Sequence, residues 1–189
     1  MPAPHHVTMD SKTPLKATSD TELLTILSEL AREVSAVLDL DALLEKIPHL
    51  ISQLTTFTVF SVYLLDKQRE ELAIAYAIGY PEEIVKHFTL KVGHGAVGRA
   101  VAEQRTILID DVDSDPNYVA VVPGAKSALS VPLRHKNEVI GALNLLSDQP
   151  AAFTERDEAI LRQFGAHVAQ AIATARLFES EREYAETLE

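Results

Sequence analysis

Apolar residues run almost unbroken through residues 127–147, SALSVPLRHKNEVIGALNLLS, on either side of a short polar segment. Neither half alternates apolar with charged residues, so the pattern predicts two strands covered on both faces and joined as a hairpin at the centre of a sheet. Pairing Arg134 with Glu138 across a turn at 135–137 sets Leu133 opposite Val139, Val131 opposite Gly141 and Leu129 opposite Leu143 on one face. Pro132, Ser130 and Ala128 then oppose Ile140, Ala142 and Asn144 on the other. The aliphatic face calls for helices, and the small face for either a close-packed segment or a cavity.

Helical spacing begins at Ser19, where Glu22 three residues on completes a capping box, and continues through Leu23, Ile26, Leu27, Leu30, Val34 and Val37. Asp39 or Asp41 caps a second helix with Leu43, Leu44, Ile47, Leu50, Ile51 and Leu54 on one side. Pro48 predicts a kink or a boundary in it, because proline removes an amide donor and crowds the preceding turn. Residues 56–65 and 72–78 are rich in strand formers and flank a polar turn, a second hairpin. A short helix over 81–88, a glycine-rich loop, a helix over 96–104 and a strand over 106–109 follow. The irregular loop 110–126 is long for a compact domain, and such loops are usually functional. Thr154, with Asp157 as its reciprocal partner, opens a last helix. Its stripe of Leu161, Phe164, Val168, Ala171, Ala175 and Phe178, widened by Ile160, Ile172 and Leu177, can meet both a sheet and a second copy of the chain. Residues 1–18 lack any period and are expected to be a disordered tail, 19–178 a single domain, and 179–189 the start of a connector helix. Five glutamates between 179 and 189, against Arg182 alone, oppose the helix dipole and suggest a fragment cut inside a longer helix.

At 189 residues, 47% of them hydrophobic, the chain can build one core, in line with about 100–200 residues per domain. A net charge of -11 argues against a surface that tracks nucleic-acid phosphates. The absence of a run of about 18 apolar residues or an export-type segment predicts no membrane partner and a cytoplasmic location. Cysteine is absent, which removes disulfides, thiolate catalysis and thiolate metal sites.

Gly93-His94-Gly95-Ala96-Val97-Gly98 matches the dinucleotide pattern G-x-G-x-x-G, but it follows hairpin strands rather than the first strand of a parallel unit, so it reads as a tight loop before a helix. Asp111, Asp113 and Asp115 open like a calcium loop, yet Pro116 stands where glycine is required and Val122 where the closing glutamate belongs. His49, His87, His94, His135 and His167 show no ligand spacing. No nucleophile, base and orienting group can be named together, so the chain is expected not to be an enzyme itself.

The ordered series Gly-His-Gly-Ala-Val-Gly-Arg-Ala, Ile-Leu-Ile-Asp-Asp-Val, Asp-Pro-Asn-Tyr, Ser-Ala-Leu-Ser-Val-Pro-Leu, Val-Ile-Gly-Ala-Leu-Asn-Leu and Phe-Thr-Glu-Arg-Asp-Glu resembles the GAF domain family over about residues 19–178. The resemblance implies an α+β fold with an antiparallel sheet in the order 2-1-5-4-3. It places the terminal helices on one face, often in a homodimer, and a small-molecule pocket on the other. The implied function is sensory: a bound small molecule biases the terminal helices and, through them, an effector such as a serine phosphatase, histidine kinase or nucleotide cyclase. A purely structural dimerisation domain is the alternative. Asn144, Phe153, Asp157 and Glu158 match the cyclic-nucleotide branch, but Leu145 stands at its lysine position. The family's bilin attachment and methionine-sulfoxide reduction use cysteine, so both are set aside. The small hairpin face and the long loop together predict a cavity lined by Tyr76, Phe88, Val97, Ile109, Tyr118, Ser130 and Ala142, with Asp110 and Asp111 near its mouth. Ligand and cofactor stay unnamed.

Overall fold

The computed structural model describes residues 19–187. The expected tail at 1–18 and the last two positions lie outside them. Helix α1 (Asp20–Ser35) starts where Ser19 Oγ accepts the Glu22 amide at 3.3 Å, and α2 (Leu40–Ile51) where Asp39 Oδ1 accepts the Ala42 amide at 2.8 Å. Of the kink or boundary expected at Pro48, the boundary does not occur, and Pro48 lies inside α2. The helix runs one turn further, and the Pro48 carbonyl accepts the Ser52 amide at 2.9 Å. Proline costs a helix the bond behind it, not the one ahead. At the other end Thr154 and Asp157 form the expected reciprocal cap, with the Asp157 amide on Thr154 Oγ1 at 3.2 Å and the Thr154 amide on Asp157 Oδ2 at 2.8 Å, and α5 (Glu155–Thr187) follows.

The strands are β1 (Val59–Asp66), β2 (Glu71–Ile78), β3 (Thr89–Lys91), β4 (Ile107–Ile109), β5 (Ser127–His135) and β6 (Glu138–Ser147). They form one antiparallel sheet in the order β3-β2-β1-β6-β5-β4, which is the expected order with the three-residue β3 added outside β2. The central hairpin is β5–β6, but its register differs from the expected one by one residue at the turn and by two beyond a bulge. His135 pairs with Glu138 across a two-residue loop in which Lys136 has φ 55°, and Val131 faces Leu143. A bulge beside Leu133 leaves Ile140 without a partner, so Val139 turns to the small face and Ile140 to the aliphatic one. A second bulge, at Ala75 in β2, pairs Val62 with Tyr76 but Tyr63 with Ile74.

The aliphatic face, with Phe60, Val62, Leu129, Val131, Leu133, Leu143 and Leu145, is fully buried under α1, α2 and α5. On the opposite face lie Val59, Ser61, Tyr63, Ala128, Ser130, Ala142, Asn144 and Leu146, covered by α4 (Gly95–Glu103) and by residues 110–126, which include a 3-10 turn at Val112–Ser114. The short α3 (Glu82–His87) carries the chain from β2 to β3. Beyond Ala175 α5 leaves the body, with Leu177 and Phe178 more than half exposed.

β1 and β6 approach closely at Gly141, where an added Cβ would lie 2.0 Å from the Tyr63 carbonyl oxygen. Gly141→Ala is expected to lower the urea midpoint through about 1–3 kcal/mol of overpacking at an unchanged denaturant slope, as measured by circular dichroism. An unchanged midpoint would mean that the two backbones separate freely.

Candidate functional site

The small sheet face ends in a cavity of about 20 Å³, room for roughly one water molecule. Its floor is Tyr63, Asn144 and Leu146 on the central strands. Leu90 of β3 and Tyr80, in the turn after β2, form one side. Gly95, Ala96 and Val97 at the start of α4 form another, and the loop supplies the roof with Tyr118, Val119 and Val121.

Period-two alternation lines up Ser61, Asn144 and Ser130 as direct cross-strand neighbours on β1, β6 and β5. Buried hydroxyls and amides must find partners, and these do. Ser130 Oγ donates to Asn144 Oδ1 at 2.8 Å, Asn144 Nδ2 donates to Tyr80 Oη at 3.3 Å, and Ser61 Oγ donates to the same phenol at 3.1 Å. Tyr80 Oη thus gathers Ser61 and Asn144, and the Tyr63 hydroxyl joins the same network through Tyr80 and Ser61. Burial, and then the Tyr80 phenol beside it, push the Tyr63 hydroxyl far above the usual tyrosine range; burial and Tyr80 push Tyr118 up to about 12. All the lining side chains are neutral at pH 7. The site can donate and accept hydrogen bonds but offers no ion to a buried charge.

An ion pair forms a strap between helix and roof. Arg99 Nη2 meets Asp115 Oδ2 at 2.6 Å, with one-fifth or less of either side chain exposed, and Arg99 Nε holds the Gly95 carbonyl at 3.1 Å. Asp115 Oδ1 also accepts the Asn117 amide at 2.8 Å. Burial raises the Asp115 carboxyl, but the Arg99 hydrogen bond and charge and the Asn117 amide outweigh it and hold it below the ordinary carboxylate range.

Of the residues expected at the site, Val97 and Tyr118 line the cavity. Ser130 lies one bond behind it through Asn144, and Ala142 sits across from Tyr63 beside it. Phe88 and Ile109 belong to the flanking apolar clusters. Tyr76 is on the other face of the sheet, because the Ala75 bulge reverses the alternation, and it packs on the helix side. Asp110 and Asp111 are exposed and serve the backbone: the Asp110 carbonyl accepts the Ala151 amide, and Asp111 caps the 3-10 turn through Asp113 N and Ser114 Oγ. The three carboxylates of the calcium-like run diverge, Asp111 to that cap, Asp113 to Lys126 at 2.8 Å and Asp115 to Arg99. Sequence reasoning missed Tyr63, Tyr80 and the Arg99–Asp115 pair. Ser61 and Tyr63 at alternate positions of β1 were the available signal for the first.

A family model described as GAF domain matches residues 37–173. The free methionine-R-sulfoxide reductase of Escherichia coli (strain K12) is 35% identical over 85 residues, 45% of this chain and 52% of that protein. The chain spans about half the length of the curated relatives it matches. Among solved structures, the free methionine-R-sulfoxide reductase of Neisseria meningitidis in complex with its substrate superposes with TM-score 0.73 at 24% identity, covering 85% of this chain and 95% of that one. The GAF domain of a phosphoenolpyruvate-protein phosphotransferase from Coxiella burnetii does so with TM-score 0.75 at 23% identity, covering 84% and 96%. These two likenesses establish the fold. The expectation that the chain is not an enzyme is corrected by the same comparisons, since the similar proteins include reductases. The lack of a recognisable triad could not carry that expectation, because a fold that serves regulation in one protein performs chemistry in another.

Asp115→Asn is expected to cost about 1.5–3 kcal/mol at neutral pH, as for a hydrogen bond to a charged group. The folded-state pKa is depressed, so the stabilisation is fully present above the unfolded value of about 3.9 and is lost as pH falls through the lower folded value. Wild-type and variant urea curves should therefore differ at pH 7 and converge below about pH 4. A difference that persists unchanged at pH 2 would sink the electrostatic account.

Proposed function

Because the chain belongs to the GAF domain family, we propose that it binds a small molecule bearing a neutral, dipolar acceptor group in the cavity beneath residues 116–121, and passes the bound state to its terminal helices. The observation that supports this is the neutral polar network at the cavity, in which the phenols of Tyr80 and Tyr63 join Ser61 and Asn144. Two neutral phenols polarise an S=O or C=O bond without requiring a charge in the site. The reductases similar to this chain are named for free methionine-R-sulfoxide, and its sulfoxide is an acceptor of this kind. Free methionine sulfoxide is therefore the first ligand to test. With no cysteine in the chain, a thiolate attack on sulfur has no residue here to perform it, and any turnover draws its electrons from another reductant.

The relay has a physical basis in the two central strands. Ser130 and Asn144 serve the cavity, while Val131, Leu143 and Leu145, one position along, pack in the core that includes α5. A shift of the strands on one face is felt on the other because the interior is close-packed. The small volume of the cavity supports a second reading, a structural dimerisation module whose sheet face is simply filled.

An NMR titration with L-methionine-R-sulfoxide separates the two. Shifts should concentrate at Ser61, Tyr63, Tyr80, Val97 and Asn144, and Tyr80→Phe should weaken binding roughly 3- to 10-fold, the worth of one neutral hydrogen bond. No shifts at tens of millimolar would remove the binding reading. The same samples, given a reductant, are assayed for methionine.

The relay also requires the exposed Leu177 and Phe178 of α5 to meet a second copy. Sedimentation should give a dimer at tens of micromolar, moved toward monomer by Phe178→Glu. A wild-type monomer at that concentration would remove the helical relay.

A further inference from the structure

A cavity with room for roughly one water cannot admit a ligand as it stands, and its walls are not equally free to move. Tyr63 and Asn144 lie on strands paired on both sides, and Ala96 and Val97 are set in a helix wedged between sheet and loop. The roof is different. Its neck is closed by the Val112 amide on the Lys126 carbonyl at 2.9 Å, the Lys126 amide on the Ser147 carbonyl at 2.7 Å, and the Lys126–Asp113 pair. Val122 is buried beside Ala96, Ile109 and Leu146. Between Val122 and Asp115 the chain has no regular structure, and Val119 is 38% exposed. The amides of Asn117 and Tyr118 bond back to Asp115 itself, at 2.8 Å to its carboxylate and 3.1 Å to its carbonyl. Asp115 in turn is held to α4 by Arg99.

We propose that residues 116–121 form a gate over the cavity, with Tyr118 as its plug, Val122 as its fixed end and the Arg99–Asp115 ion pair as its releasable latch. The proposal rests on the cavity being the binding site. Breaking the latch frees Asp115 and the two amides folded onto it together, so the segment swings as a unit about the closed neck. Short surface loops with bonded ends move in this way, opening far more cheaply than the domain unfolds.

The cysteine-free chain makes the test direct. Ala96 lines the cavity and is 5% exposed, so in Ala96→Cys the introduced thiol is the sole one and lies under the gate. Its rate of modification by a small methanethiosulfonate reagent reports opening. The rate is expected to be slow and independent of urea well below the unfolding midpoint. It should rise about tenfold or more when Asp115→Asn is added, as follows from losing a charge-assisted bond, and should also rise with Tyr118→Ala, which removes the plug, the far-ultraviolet spectrum staying unchanged in both. Arg99→Ala, which leaves the Asp115 carboxylate on the Asn117 amide, should raise the rate likewise. Equal rates with and without Asp115→Asn and Tyr118→Ala overturn the gate, and an unchanged rate in Arg99→Ala overturns the latch. If Asp115→Asn does not fold, Ala96→Cys alone decides, since a rate that follows the full unfolding slope in urea rejects local opening. No ligand is used, so this result and the methionine sulfoxide titration fail independently.

Discussion

The structure depends on one constraint: the β5–β6 hairpin is buried on both faces, and every polar atom on it must be paired inside the protein. The face toward α5 meets this by carrying only aliphatic side chains, among them Val131, Leu133, Leu143 and Leu145. The other face carries Ser130 and Asn144, and an unpaired amide there would cost about 1–3 kcal/mol. Their requirement recruits Ser61 from β1 and Tyr80 from the turn beyond β2. The site is thus a consequence of how the sheet satisfies its own polar groups.

Much of this was legible in the chain. The buried hairpin, the unequal character of its faces, the capping boxes at Ser19 and Thr154 and the family resemblance all follow from local pattern. What was not legible about the strands shares a cause. A bulge adds one residue to one strand and reverses every side chain beyond it, and no composition signal marks Ile140 or Ala75 as the extra residue. Hence Val139 and Ile140 exchanged faces, and Tyr76 went to the helices while Tyr63 and Tyr80 took the cavity. The Arg99–Asp115 pair is sixteen residues apart in sequence and joins a helix to an irregular loop, a contact set by tertiary packing alone.

The motif-like stretches turn out to be about backbone geometry. Gly98 is glycine because a Cβ would lie 2.5 Å from the Lys91 carbonyl, which draws β3 against α4 and closes one side of the cavity. The aspartates that imitate a calcium loop are spent on a turn cap, a neck and a latch. In both cases the residues serve the site by fixing its walls.

Charge and neutrality are therefore separated in space. The cavity lining holds phenols, a carboxamide and aliphatic groups, whereas the ion pair sits at the roof, between α4 and the loop. A ligand with a net charge at its buried end would give up hydration worth several kcal/mol for contacts with neutral dipoles. A ligand with a polar but uncharged head loses far less, and can keep its ionised groups toward the roof. On the proposed reading, the neutral lining would discriminate by charge, while the Arg99–Asp115 pair, which does not itself line the cavity, would govern access.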